Sequence, residues 1–274
     1  MPPAGERRTG ALTLRILSAI VLIAVTAAAV ALGPPYFNVY ILVAALVLVV
    51  EWALLCGQRV VRPTTILLAV TAIAVVFVAT TEAPRDALVT GAVGALILLL
   101  VGWLERAQRL LWLVFGVAYI GLPAVALLWL MAAPELGRET IAFVIVAVSA
   151  TDIGAYFAGR SIGGPRLVPR LSPKKTWAGL AGGIACAAAA GALLGYAFGL
   201  SIAWTTLVGA ALAVVSQAGD LFESAIKRKF GVKDSGAIIP GHGGLFDRAD
   251  GQIAAAVAVA AAHWATGGSV LTWR

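Results

Sequence analysis

Nine apolar runs, at about residues 12–32, 37–55, 64–80, 87–104, 110–131, 140–158, 177–199, 201–219 and 251–271, constrain this chain more than any other feature. A helix rises about 1.5 Å per residue, so about 20 residues cross a hydrocarbon core of about 30 Å. The shorter runs can cross with local thinning of the bilayer. Composition points the same way: 61% of the 274 residues are hydrophobic and 12% are charged, against about a quarter charged in soluble domains. A soluble domain of this size could not hide so much apolar surface, and lipid must be its solvent. The expected fold is all-α, a polytopic integral membrane protein of about nine transmembrane helices. The first run follows Glu6, Arg7 and Arg8 and ends in small residues, in the outline of a secretory signal. Its spanning length and the runs behind it read better as a retained first helix.

Nine spans put the termini on opposite sides, and charge gives the direction. With the N-terminus cytoplasmic, 17 of the 20 Lys and Arg fall on cytoplasmic segments, leaving only Arg85, Arg138 and Arg274 outside. The positive-inside rule therefore predicts an N-terminus in the cytoplasm and a C-terminus outside, in the cell membrane. The basic balance, 20 Lys and Arg against 13 Asp and Glu, also suits anionic lipid or phosphate. Nucleic acid is not an expected partner, because no basic stripe alternates with aromatics. Most connections are short, but 159–176 and 220–250 are long, polar and cytoplasmic on this threading. The chain accordingly divides into a scaffold, residues 1–140, and a catalytic region, residues 141–274. Small residues in the scaffold let backbones approach closely and are candidates for contacts within a homodimer.

The polar segments hold the candidate chemistry. If the eighth helix continues beyond the membrane, Asp220, Glu223 or Ser224, and Lys227 share one of its faces. A carboxylate, a hydroxyl and an ammonium there suit a metal-bound phosphate, although a solvated helix end carries similar charges. In "KDSGAIIPGHGGLFDRAD", Pro240, Gly241, Gly243 and Gly244 mark a tight turn whose N–H groups can approach a ligand. Asp247 and Asp250 follow at the mouth of the ninth helix. Asp220 with Asp247 could hold a divalent cation, magnesium by preference, and Asp250 and Glu223 are further candidate ligands. Asp247 could equally pair with Arg248 or favour the helix dipole. His242 either contacts phosphate or fastens the turn. In "LSPKKTWAG", Ser172 fits the N-cap of the seventh helix with Pro173 at its first position. Lys174 and Lys175 would then complete an anion site at a helix N-terminus, unless they only mark the membrane surface. Asp152, inside the sixth span, needs a wet cavity or a partner. Arg160 is either that partner or a phosphate contact. Glu51, near the end of the second span, could snorkel or work, and His263 reads as a satisfied intramembrane histidine midway along the ninth.

The chain lacks GxxxxGK, HExxH and GxSxG. Its cysteines, Cys56 and Cys186, match no metal spacing, and two histidines cannot build a histidine-rich metal site. A transporter could use Asp152 and Asp220 in a polar pathway, but it would not need the glycine turn and clustered lysines at one rim.

The segment "SAIKRKFGVKDSGAIIPGHGGLFDRAD", 224–250, closely resembles the signature of the phosphatidate cytidylyltransferases, or CDP-diacylglycerol synthases. "SQAGDLFES", "LSPKKTWAG" and "TDIGAYFAGR" resemble that family's upstream blocks, in the same order. Ala178 and Ala249 depart from it, replacing a usual glutamate and a bulkier apolar residue. The resemblance implies transfer of a cytidylyl group from CTP to phosphatidate, with magnesium and a second, monovalent cation such as K+. By position it implies Asp220 and Asp247 as metal ligands, and Lys174, Lys175, Lys227 and Arg248 as phosphate contacts. It puts Asp152 and Ser172 at the nucleotide pocket; Arg160, Ser224, Arg228, Lys233, His242, Gly243 and Gly244 complete the substrate-binding candidates. A CTP-dependent polyprenol or dolichol kinase is the nearest alternative, one that moves the γ-phosphate instead.

Overall fold

The computed structural model describes residues 4–236, 238 and 243–272, with side chains from residue 16 onward. Among these residues are nine helices and one two-stranded hairpin. The helices are α1 (Ala4–Leu32), α2 (Tyr36–Leu55), α3 (Pro63–Thr81), α4 (Pro84–Leu104), α5 (Leu110–Met131), α6 (Gly137–Ser161), α7 (Trp177–Ala197), α8 (Ile202–Lys229) and α9 (Phe246–Thr266). Strands β1 (Arg166–Val168) and β2 (Ser172–Thr176) separate α6 from α7. Helices α2 to α8 are long and apolar enough to cross a bilayer, and α1 carries a shorter apolar stretch, Ile16–Leu32. The chain is a multi-pass membrane protein. The short break at residues 81–87 resolves cleanly, because Pro84 starts α4 at a position where a missing N–H leaves no bond unmade.

The hairpin corrects two expectations. The fold is not purely helical, and Ser172 does not cap α7. Arg166 pairs with Thr176 and Val168 with Ser172, antiparallel, so residues 172–176 are extended. The cap comes from Thr176, whose hydroxyl accepts from the Gly179 amide at 3.0 Å. Pro173 is tolerated because each strand of a two-stranded sheet is an edge. Lys174 and Lys175 consequently sit on a strand, not at a helix N-terminus.

The chain forms two compact units, Met1–Val125 with Phe230–Arg248, and Ala126–Lys229 with Ala249–Arg274. In the first unit, α2 packs on α3 and α3 on α4. Trp52, fully buried, lies against Trp112, Phe115, Tyr119, Phe230 and Phe246. Its indole N–H donates to the Trp112 carbonyl at 2.8 Å. Arg109 donates to the Leu55 carbonyl at 2.7 Å and lies over the Phe230 ring. In the second unit, α7 packs against both α6 and α8. The buried positions of α7 are Gly179, Gly183, Ala187, Gly191 and Gly195, one every four residues. A Cβ at Gly191 would lie 2.3 Å from the Thr205 carbonyl oxygen, so this small-residue stripe sets the close approach of α7 to α8.

Candidate active site

The second unit gathers carboxylates from two helices. Helix α8 runs on to Lys229, so residues 220–229 of the long polar segment are helical and the condition for Asp220, Glu223 and Lys227 to share one face is met. The first turns of α9 add Asp250. Two glycines make the approach feasible: a Cβ at Gly219 would lie 2.8 Å from the Asp250 carbonyl oxygen, and one at Gly251 would lie 3.2 Å from the Ser216 Cβ. The result is a group in which carboxylate oxygens of Asp220, Glu223 and Asp250 all lie within 4.8 Å of one another. Asp152 adds a further carboxylate charge that acts on Asp250.

Cations flank this group. Lys175 of β2 pairs with Asp220, and Lys227 pairs with Glu223 at 2.5 Å. The Ser224 hydroxyl donates to Asp220 at 3.4 Å. Two unit charges about 5 Å apart repel by about 3 kcal/mol at an effective dielectric constant of about 20. With Glu223 only 3% exposed, solvent does little to relieve that repulsion. The donor set is entirely carboxylate oxygen, which suits a hard divalent cation that keeps some of its waters.

The first unit holds a second arrangement, built around the glycine turn. Asp247 Oδ2 accepts from the Ser235 amide, the Ser235 hydroxyl and the Gly244 amide, each at 3.0 Å. Glu51, on α2, is completely buried. Its carboxylate accepts from the amides of Leu245 at 2.7 Å and Phe246 at 2.9 Å, and from the Ser235 hydroxyl at 3.3 Å. These amides belong to the start of α9, where helix N–H groups have no partner within the helix. Glu51 therefore does not snorkel; it caps another helix from a distance of nearly 200 residues in sequence. The glycines fit the same scheme. Gly243 has φ +83°, open to glycine at little strain, and a Cβ at Gly244 would lie 2.0 Å from the Ser235 Oγ.

The remaining candidates divide plainly. Gly243 and Gly244 form the turn with Asp247, whereas Pro240, Gly241 and His242 lie outside the described residues. Lys174, Arg228, Lys233 and Arg248 are exposed. Ser172 lies on β2, and Arg160 donates to the Tyr156 hydroxyl at 3.4 Å. His263 stands near the end of α9 and not midway along it, its ring edge-on to Trp129, and its buried Nδ1 has no hydrogen-bond partner among the described residues. Of the candidate metal ligands read from sequence, Asp220 with Asp247 and further Asp250 and Glu223, the second unit brings together Asp220, Glu223 and Asp250, and Asp247 belongs to the first unit. Sequence reasoning passed over Ser235 and left Glu51 open. The available signal was the isolation of Glu51 in an otherwise apolar run, but its partners are distant in sequence.

A profile of the cytidylyltransferase family matches residues 13–265. The chain belongs to that family. Among its family relatives, a phosphatidate cytidylyltransferase of Brucella suis biovar 1 (strain 1330) is 38% identical over 253 residues, covering 89% of this chain and 90% of the relative. A phosphatidate cytidylyltransferase of Mycobacterium tuberculosis (strain ATCC 25618 / H37Rv) is 40% identical over 126 residues, 46% of this chain and 38% of that one. Family membership extends over both compact units, so it embraces the glycine turn as well as the carboxylate group.

Proposed function

We propose that this cytidylyltransferase joins CTP to phosphatidate, giving CDP-diacylglycerol and pyrophosphate, at the cytoplasmic face of the cell membrane. The observation that carries the reading is the carboxylate group of Asp220, Glu223 and Asp250, with Glu223 buried at its centre, flanked by Lys175 and Lys227, in a chain aligned nearly end to end with phosphatidate cytidylyltransferases. The one-sided distribution of Lys and Arg supports nine spans with the N-terminus in the cytoplasm. That threading puts both long polar segments on the side where CTP is found.

In the proposed reaction, a phosphate oxygen of phosphatidate forms a bond to the α-phosphorus of CTP. The α–β phosphoanhydride bond breaks, and pyrophosphate leaves with the electron pair. A phosphate monoester has a second pKa of about 6, so the nucleophile is already anionic near neutral pH and no strong general base is needed. The obstacle is the meeting of two polyanions. Lys175 and Lys227, with the exposed Lys174, neutralise phosphate charge and orient the reacting groups. Asp220, Glu223 and Asp250 would hold magnesium, which when bound screens the phosphates and stabilises charge on the leaving group. Asp247 is assigned to the glycine turn through Ser235 and Gly244, and the turn's N–H groups to the phosphates.

The test uses purified protein in detergent with phosphatidate, magnesium and CTP labelled at either the α- or the γ-phosphate. Label from the α-position should enter the lipid with release of pyrophosphate. Transfer of the γ-label would instead establish a CTP-dependent lipid kinase.

A further inference from the structure

We infer that Glu51 is a positioning residue for the transfer reaction: from α2 it fixes the glycine turn and the first residues of α9 in their working conformation. A buried carboxylate is unfavourable unless hydrogen bonds satisfy it. Glu51 has complete burial and three donors, all from residues 235–246. Two of these are amides at the head of α9, so the carboxylate determines where that helix begins. Its neighbour on α2, Trp52, is locked among aromatic rings that include Phe246, and the Trp52 indole leaves no room for a Cβ at Gly116, which would lie 2.3 Å from its Nε1. The carboxylate therefore stands on a rigid base.

Glu51 also accounts for glycine at two places in the signature segment. A Cβ at Gly236 would lie 3.2 Å from Glu51 Oε1, and one at Gly244 would lie 2.8 Å from Oε2. The Ser235 hydroxyl lies within hydrogen-bonding distance of both Glu51 Oε2 and Asp247 Oδ2. It has one proton for two carboxylates, and thereby couples Glu51 to Asp247. Arg248 follows directly in the chain. A side chain on a helix of the apolar first half thus governs the placement of Asp247 and Arg248 without touching substrate.

This role rests on the cytidylyl-transfer reading, and one experiment separates the two. Full-length wild-type and Glu51→Gln proteins are compared in lipid nanodiscs for kcat, for KM toward CTP and phosphatidate, and for amide hydrogen exchange at Leu245 and Phe246. Glutamine keeps the shape but turns an N–H donor toward backbone donors. The expected result is a kcat at least about thirtyfold lower, both KM values within about threefold of wild type, and exchange at the two amides at least about tenfold faster. A kcat within twofold of wild type overturns the inference, as does a loss accounted for by unfolded protein with exchange unchanged, or a rise in KM alone. If Glu51→Gln does not accumulate, Ser235→Ala is judged by the same kinetic criteria, with a kcat loss of at least about fivefold expected. Inactive wild-type protein would sink the transfer reading, and the exchange rates would still decide whether Glu51 holds the turn.

Discussion

The two compact units each gather carboxylates around one buried member, Glu51 in the first and Glu223 in the second, but they stabilise them in opposite ways. In the first, Glu51 and Asp247 are surrounded by N–H and O–H donors from Ser235, Gly244, Leu245 and Phe246. Every donor belongs to the chain, and the arrangement is a closed piece of architecture. In the second, Asp220, Glu223 and Asp250 face one another, and two lysines on flexible stems, Lys175 and Lys227, pair with Asp220 and Glu223. Backbone donors fix a carboxylate in place, whereas like-charged neighbours leave it ready for an ion. The first arrangement holds a turn in place; the second, on the proposed reading, offers ligands to a cation.

The largest expected effect tests that division at its sharpest. Asp220→Asn removes a ligand charge without removing a structural hydrogen-bond donor set. Turnover should fall by at least about 10³-fold, the scale of several kcal/mol of electrostatic stabilisation, while the apparent melting temperature without magnesium stays near wild type. Magnesium at about a hundred times its Kd should stabilise the wild-type protein by about 2.7 kcal/mol, and the variant far less. Both are checked by steady-state assay and by thermal unfolding with and without the ion. Equal stabilisation of the two proteins would place the cation elsewhere.

Gly244→Ala comes next. A Cβ there would lie 2.0 Å from the Ser235 Oγ and 2.8 Å from Glu51 Oε2, so the turn must move. Overpacking of this kind costs about 1–3 kcal/mol, and kcat should fall by about 10- to 100-fold even in the folded fraction. Gly191→Ala is the matching control in the second unit. Its Cβ would meet the Thr205 carbonyl at 2.3 Å, and backbone cannot rotate away. Stability should fall by a similar amount, but turnover per folded molecule should stay within about twofold. If both substitutions lowered turnover alike, the glycine turn would have no special claim on the chemistry.

Helices were legible because their signal is local: a run of about 20 apolar residues can hardly be anything else in a chain of this composition. Each of the nine expected runs overlaps a helix, and the spacing of Asp220, Glu223 and Lys227 left open a continuation of the eighth helix that α8 makes, to Lys229. The hairpin was not legible. Ser172 and Pro173 carry a strong helix-start signal, and pairing with residues 166–168 overrides it, leaving Thr176 to cap α7 instead. The carboxylate group was half legible. Asp220 stood out by charge, but the choice among Asp247, Asp250 and Glu223 depends on how α9 packs against α8 at Gly219 and Gly251. Glu51 posed the hardest case, since no local pattern connects it to amides 194 and 195 residues away.

The smallest expected effect separates two adjacent lysines. Successive side chains of a strand point to opposite faces, and on β2 Lys175 pairs with Asp220 while Lys174 is exposed. Lys175 belongs to the carboxylate group; Lys174 belongs to neither carboxylate arrangement and is proposed as a phosphate contact at the rim. An exposed charge contributes about 0–1 kcal/mol, so Lys174→Ala should raise KM for CTP by only a few-fold and leave KM for phosphatidate nearly unchanged. Because salt screens exposed charges beyond about 8–10 Å at physiological strength, the difference between wild type and variant should shrink as ionic strength rises. Paired KM measurements at low and high salt check this. Equal shifts for the two substrates, or a difference indifferent to salt, would move Lys174 from nucleotide capture to a part in holding the hairpin itself.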